Sequence, residues 1–420
     1  MKIFKFFLPS ILMFFSHIVN AQMGFHNNGM KITINSGAYV NVVDFTDSTG
    51  GGTDGTIDIN GTLIVNGDMT NNSHGNVFIN IPPVPSGDII LEGTNQNIQG
   101  ITPIYFENLI IKNATKTLEL DTCQVKGIFI VDGVMDLNKN RLILDNGTPG
   151  AINYQTGFLK SETPPSGSGG LGEIEWKIGS NINTYAVPFG SGTGGNDLNL
   201  VLETKTAASP SSGSIVFATY PTDLNNEPYP PTVLNLDTFK ATEIADRFWE
   251  LQSNYTTKPD VVINFKYTAD DVNQTSNPNM NESYLEAIRY NDVQNTWANM
   301  PMTGTCDVPD KVVNTATSNN PVVSGANFYT WWALAEFEFK IPNAFIPQGD
   351  NQGNKVFLPG YQIEIFNRWD QLLYKGSNGW DGTYKGSIVS PGTYFYSASI
   401  PDDNNQMKTV KGVITLIAPK

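Results

Sequence analysis

Along residues 29–161, short runs of β-branched and aliphatic side chains alternate with Asn, Asp and Gly. No segment sustains the three-to-four-residue apolar spacing of a helix. The pattern predicts strands at 31–35, 56–60, 62–66, 77–81, 88–92, 108–112, 116–120, 128–132 and 141–145. Several carry three aliphatics in a row, such as Leu63-Ile64-Val65, Leu109-Ile110-Ile111 and Leu142-Ile143-Leu144, which predicts burial on both faces or tight stacking. Gly61-Thr-Leu-Ile-Val-Asn-Gly67-Asp-Met69 is echoed by Gly127-Ile-Phe-Ile-Val-Asp-Gly133-Val-Met135, aligning Leu63 with Phe129 and Val65 with Val131. An echo among evenly spaced strands predicts a β-solenoid-like repeat module over 22–163, each coil burying its apolar side against the next. A sandwich of the same strands is the alternative.

Pro164-Pro-Ser-Gly-Ser-Gly-Gly-Leu-Gly172 reads as a linker over 164–172. Beyond it, strands are expected at 173–178, 184–189, 198–203, 214–220, 247–251, 261–267, 284–290 and 329–335. Strict alternation puts Val261, Ile263, Phe265 and Tyr267 on one side of their strand, as a half-exposed antiparallel strand requires. Residues 173–336 are therefore expected to form a β-sandwich, with Trp249, Trp297, Trp331 and Trp332 as packing residues before any sugar-stacking role. From 337 to 420 the strands shorten again between Gly-, Asn- and Pro-rich turns, as in a small Ig-like β-sandwich. The chain is expected to be all-β throughout.

The ends add an address. Lys2 and Lys5 precede an apolar run from Phe6 to Val19, and Val19-Asn20-Ala21 suits a cleavage point between Ala21 and Gln22, so 1–21 reads as a secretory signal peptide. The run holds Pro9, Ser10, Ser16 and His17 and is too short for a membrane anchor, and no later window predicts a membrane-spanning segment. No Cys follows the cut, which argues against a lipid-anchored lipoprotein.

Only 15 % of residues are charged, and 25 Lys and Arg stand against 40 Asp and Glu, a net charge of −15. Removal of Lys2 and Lys5 leaves 23 basic against 40 acidic residues. With no basic cluster, nucleic acid is not an expected partner. Cys123 and Cys306 are the only cysteines, and unpaired, partly buried thiols are favoured over a bridge, for which spacing gives no evidence.

The C-terminal motifs are more specific. Pro342-Asn-Ala-Phe-Ile-Pro-Gln-Gly-Asp350, Ile363-Glu-Ile-Phe-Asn-Arg-Trp369, Trp380-Asp-Gly382, Ser390-Pro-Gly-Thr-Tyr-Phe-Tyr396 and Lys411-Gly-Val-Ile-Thr-Leu416 occur in order up to the chain's end. They resemble the gliding-motility-associated C-terminal domain of Bacteroidota, the type B sorting signal of the type IX secretion system. The resemblance covers about a fifth of the chain. It implies export across the outer membrane to the cell surface or medium, with the secretion translocon as partner. The matching positions are Pro342, Asn343, Ala344, Phe345, Pro347, Gly349, Asp350, Phe366, Asn367, Arg368, Trp369, Trp380, Asp381, Gly382, Pro391, Gly392, Thr393, Tyr394, Lys411 and Gly412. Asp370 stands where the family has Gly, so it must adopt a left-handed conformation or the turn must differ. Arg368 is expected either to stack on Trp369 or to pair with Asp381, shaping the recognised surface. More weakly, Gly93-Thr-Asn-Gln-Asn-Ile-Gln-Gly100 with Phe106-Glu-Asn-Leu-Ile-Ile111 is similar to solenoid repeats of such surface proteins. Arg247-Phe-Trp-Glu-Leu251 with Trp331-Trp-Ala-Leu-Ala335 is similar to an accompanying β-sandwich.

Catalytic signals are sparse. After the expected cleavage only His26 and His74 remain, and no phosphate loop, nucleophile elbow or His-Glu-x-x-His motif occurs. Asp44, Asp47, Asp54 and Asp58 around Gly50-Gly-Gly52 are the one set able to collect Ca²⁺, but their spacing is not that of an EF-hand loop, so no cofactor is expected. The reading is a non-enzymatic, secreted or surface-displayed structural or adhesive protein, with surface glycans or other surface proteins as ligands. The alternative is a carbohydrate-active enzyme, a glycosidase or polysaccharide lyase, exported by the same route.

Overall fold

The computed structural model describes residues 19–20, 24–50, 52–79, 87–162, 171–191, 195, 197–236, 239–272, 280–298, 305–316, 321–336, 341, 343–347, 356–401 and 407–417. The expected cleavage pair Ala21 and Gln22, residues 163–170 of the linker region, and Pro342, Gly349 and Asp350 lie outside them. Among the described residues regular structure is strand, apart from short 3-10 turns, and no helix is long and apolar enough to cross a membrane. The chain divides into two compact units, 1–336 and 337–420.

Residues 25–160 form a β-solenoid of about five turns. Its strands are parallel and stack in register, apart from Thr53–Asp54, which folds back antiparallel on Phe45–Gly50. Val40, Leu63, Ile89, Leu109, Phe129 and Ile152 follow one another up one ladder, and Val42, Val65, Leu91, Ile111, Val131 and Tyr154 up the next inward ladder. Parallel coils at this spacing cannot bury an apolar face alone, and stacking removes each ladder from water. The sequence echo falls on this register, because Leu63 and Phe129 share one ladder and Val65 and Val131 the other. Between them the column Asn41, Ile64, Ile90, Ile110, Ile130 and Asn153 carries the middle residues of the triplets at 63–65 and 109–111. Ile64, Ile90 and Ile130 stack on one another's coils while partly exposed, Ile110 is buried so that its strand is covered on both faces, and Ile143 of the third triplet lies instead between Gln124 and Glu175. Inside, Phe25, Phe45, Phe78 and Phe106 form a run of ring contacts 5.5 to 5.8 Å apart.

Two expected strands, 108–112 and 116–120, fuse into Asn108–Leu118, whose register shifts between Lys112 and Thr115 where Asn113 takes φ 62°. This corner buries Lys116 completely. Its ammonium donates to the carbonyls of Gly93 (2.7 Å), Lys112 (2.8 Å) and Ala114 (3.4 Å). Desolvation lowers its pKa to about 8.

The solenoid sheet then changes character. Arg141–Leu144 pairs in parallel with Glu173–Trp176, which pairs antiparallel with Ile215–Pro221, followed across the sheet by Arg247–Ser253, Trp331–Glu336, Leu285–Asn291 and Thr296–Ala298. A five-stranded sheet, containing Thr184–Val187, Leu200–Thr204, Val261–Lys266, Val312–Asn314 and Thr305–Asp307, packs against it. Phe265 lies 5.4 Å from Trp249 and 5.5 Å from Trp332, and Trp176 lies 5.0 Å from Tyr185. One hydrophobic cluster runs from Ile34 to Leu334. The junction also carries a buried ion network. Arg247 donates to Asp271 (2.9 Å) and Glu162 (2.7 Å), and Ser161 accepts from the Thr219 N–H (3.1 Å).

The four tryptophans are packing residues, none more than 6 % exposed. On the far side of the nine-stranded sheet, Trp331 donates to Thr232 (3.0 Å) and Trp297 to the carbonyl of Asn235 (2.9 Å), so the Pro-rich segment around 228–236 lies over both indoles. Glu250 is on this side too, beside Ala218 and Trp331. It is 5 % exposed, and its Oε2 has no hydrogen-bond partner among the described residues.

Residues 337–420 build their own core. The sheet order is Ala344–Phe345, Met407–Leu416, Gly392–Pro401, Gln362–Phe366 and Leu372–Gly376, antiparallel except for its first pair. A hairpin of Thr383–Tyr384 and Ser387–Ile388 and the bridge between Phe357 and Trp380 close the other side.

Candidate functional site

In the C-terminal unit the motif residues divide between core and surface. Trp380 is fully buried, 5.4 Å from Phe345 and 5.1 Å from Tyr394, and donates through Nε1 to the Thr383 carbonyl (2.9 Å). Asp381 accepts from the Thr383 N–H (3.0 Å) and hydroxyl (2.7 Å), which turns the chain after Trp380. Gly382 follows at φ 80°, where a Cβ would lie 2.9 Å from Pro347 and Leu416. Asn343 accepts from the Thr415 N–H (2.9 Å), and Ala344 and Phe345 pair with Thr415 and Leu416. Pro391, Gly392 and Thr393 lead into the long strand, where Tyr394 donates its hydroxyl to the Ser390 carbonyl. Burial raises the pKa of Tyr394 and Tyr396 above the ordinary phenol value. Gly412 lies under Tyr396, so a Cβ there would sit 2.5 Å from its Oη.

The remaining motif residues build an exposed turn between Gln362–Phe366 and Leu372–Gly376. Asn367 organises it. Its Oδ1 accepts from the N–H groups of Trp369 (2.9 Å) and Gln371 (3.0 Å), and its Nδ2 donates to Gln371 Oε1 (3.0 Å). Asp370 closes the turn at φ 61°, so the left-handed conformation expected of the family glycine is met by Asp. The closure projects Arg368 and Trp369 outward. Trp369 is 78 % exposed, and the Arg368 guanidinium lies 5.4 Å from its ring centre. Stacking is thus the arrangement adopted, while Asp381 serves its own turn.

Two concave surfaces flank Arg368. One, of about 580 Å³, is lined by Glu364, Phe366, Asp370, Phe395 and Lys411 among others. The second, of about 600 Å³, includes Trp369, Tyr384, Pro391, Thr393 and Tyr394. Motifs far apart in sequence therefore border one surface. The sequence reading missed Phe395 and Val413, which are 46 % and 52 % exposed. Their signal was alternation, since Phe395 stands between Tyr394 and Tyr396, both buried on the opposite side of the strand.

The other candidate site separates into local turns. Asp44 accepts from the Asp68 N–H (2.9 Å), Asp54 from Thr49 (2.5 Å) and the His74 N–H (2.9 Å), and Asp58 from Asn60 (3.3 Å). The hydrogen bonds from Thr49 and the His74 backbone lower the Asp54 pKa. Asp47 is fully buried between Asn27 and Asn71 on an inward polar ladder, and desolvation raises its pKa. Among the described residues no three His, Cys, Asp or Glu gather into a metal-holding group. Cys123 and Cys306 are free thiols, the first buried and raised in pKa by desolvation.

Compared with known proteins, no curated sequence and no solved structure matches the chain. One family does, over residues 339–416, which contain the exposed turn, both concave surfaces and the buried Trp380. That segment is a CHU_C type IX secretion signal domain, and the protein is exported through its C-terminal domain by the type IX secretion system, across the outer membrane to the cell surface or the medium.

Proposed function

We propose that residues 22–336 are a structural or adhesive passenger displayed at the cell surface, and that the secretion machinery reads the Arg368–Trp369 turn. A signal peptide at 1–21, cut after Ala21, would open the route. The solenoid at 22–163, the linker at 164–172 and the sandwich at 173–336 would form the delivered body. The observation that carries this reading is the single hydrophobic cluster running from Ile34 to Leu334, through solenoid and sandwich alike. A body stacked in this way offers a long, rigid surface, and the column Asn41, Ile64, Ile90, Ile110, Ile130 and Asn153 supplies an apolar stripe ended by amides. Surface glycans and other surface proteins are the ligands this composition suits. The test is a glycan-array and cell-binding assay on purified 22–336. Saturable binding without turnover supports the reading, and absence of binding to cells and glycans alike rejects it.

One observation favours the enzyme alternative. Glu173 is held by Arg141 (2.5 Å), whereas Glu250, near enough to feel both charges, is pushed by burial to a pKa of about 8. An ion-paired carboxylate beside a carboxyl group whose pKa burial raises is an arrangement that acid and base chemistry can use. Release of reducing ends from a polysaccharide by 22–336, abolished by Glu250→Gln, would establish this second reading.

A further inference from the structure

The outer side of the C-terminal sheet holds an apolar row that its core does not use. Phe366 pairs with Phe395, and Phe395 with Val413, across three adjacent strands. Phe395 and Val413 are about half exposed, and Arg368 and Lys411 line the same concavity together with Asp370 and with Glu364, which is paired to Lys375 (2.7 Å), so cations outnumber carboxylates there by one. Aromatic and aliphatic side chains exposed together on three neighbouring strands mark a contact surface rather than scattered surface residues. The charge distribution indicates the partner. Residues 337–420 carry eight basic and seven acidic residues, leaving 17 and 33 for residues 1–336. An acidic receptor repels the passenger while admitting the nearly neutral C-terminal unit, so repulsion of the wrong surface adds to attraction for the right one.

We infer that this row is the seat of an acidic receptor segment of the export machinery, whose aromatic or aliphatic side chain lies on Phe395 and Val413 while its carboxylates face Arg368 and Lys411. The inference rests on the export reading and names the partner chemistry for the same domain. Hydrophobic contact supplies affinity, and the two cations fix the orientation.

The test uses the full chain in cells with a working type IX secretion system, measuring the exported fraction of Phe395→Ser/Val413→Ser, Lys411→Glu, Phe395→Leu and Lys385→Glu. Lys385 lies on the separate hairpin turn and serves as the charge control. The apolar double variant and K411E are expected to lose tenfold or more in export, about 1.4 kcal/mol if read as affinity, while F395L and K385E keep it. Resistance of the C-terminal unit to trypsin in cell extracts reports folding. If the double variant unfolds, K411E and F395L decide. Wild-type export of K411E, or loss in F395L equal to that in the double variant, overturns the inference. A chain ending at residue 336 separates the two readings. If it is retained while the variants are exported normally, only this inference fails. If it is exported as well, the export reading fails first.

Discussion

Replacing Glu250 with Gln should stabilise the protein in alkaline solution and leave it nearly unchanged in acid. Glu250 is buried beside Ala218 and Trp331. Burial, reinforced by the Glu173 carboxylate and partly opposed by Arg141, raises its pKa from 4.5 to about 8. Because the folded pKa is the higher, the folded chain keeps a proton that the unfolded chain surrenders. Stability from this group is full below about pH 4.5 and drains away as pH rises through 8. A shift of roughly 3.5 units at 1.36 kcal/mol each sets a ceiling near 5 kcal/mol at pH 9, with about 3 kcal/mol already lost at pH 7. Gln has the shape of the protonated acid and does not ionise. Urea unfolding followed by tryptophan fluorescence should therefore give E250Q and the parent within about half a kcal/mol near pH 4.5, and E250Q more stable by several kcal/mol near pH 9. Equal differences at the two pH values, or a less stable E250Q at pH 9, would show Glu250 ionised and held by Arg141, refuting the burial argument.

Three further outcomes follow from the same physics. Lys116, lowered to about 8, stays charged in the unfolded chain up to its ordinary 10.5, so folding stability should rise between those values by about 3 kcal/mol, a rise absent from Lys116→Met in pH-resolved unfolding. Asp47→Asn should extend the ladder of Asn27 and Asn71 and stabilise the chain at neutral pH, with the gain vanishing below about pH 3, as thermal melts at both pH values would show. Gly412→Ala should cost the C-terminal unit about 1–3 kcal/mol by driving a methyl into Tyr396, detected as earlier trypsin cleavage of that unit.

Much of the solenoid was legible because stacking repeats one demand in every coil. The aligned Leu63 and Phe129 occupy the same ladder, and the Ile64 and Ile130 beside them share the middle column. What the sequence conceals is closure over distance. Lys116 reads as a surface lysine of a polar strand, and its carbonyl cage depends on a bulge that spacing does not announce. Arg247 meets Glu162 from 85 positions away, a separation with no local pattern to reveal it. In the C-terminal unit the motif spelled out the turn, and Asp370 met the conformation it required. The exposure of Trp369 was not evident, since Trp369 and Trp380 carry the same apolar character while only Trp380 lies within the core.

Residues 337–420 carry the export information for everything before them. The most direct measurement compares the full chain with residues 1–336 in secretion-competent cells, scoring each in periplasm, outer-membrane surface and medium. Full-length protein should be found outside and the truncated chain, folded around the cluster from Ile34 to Leu334, in the periplasm. Equal amounts of both outside the cell would contradict the claim.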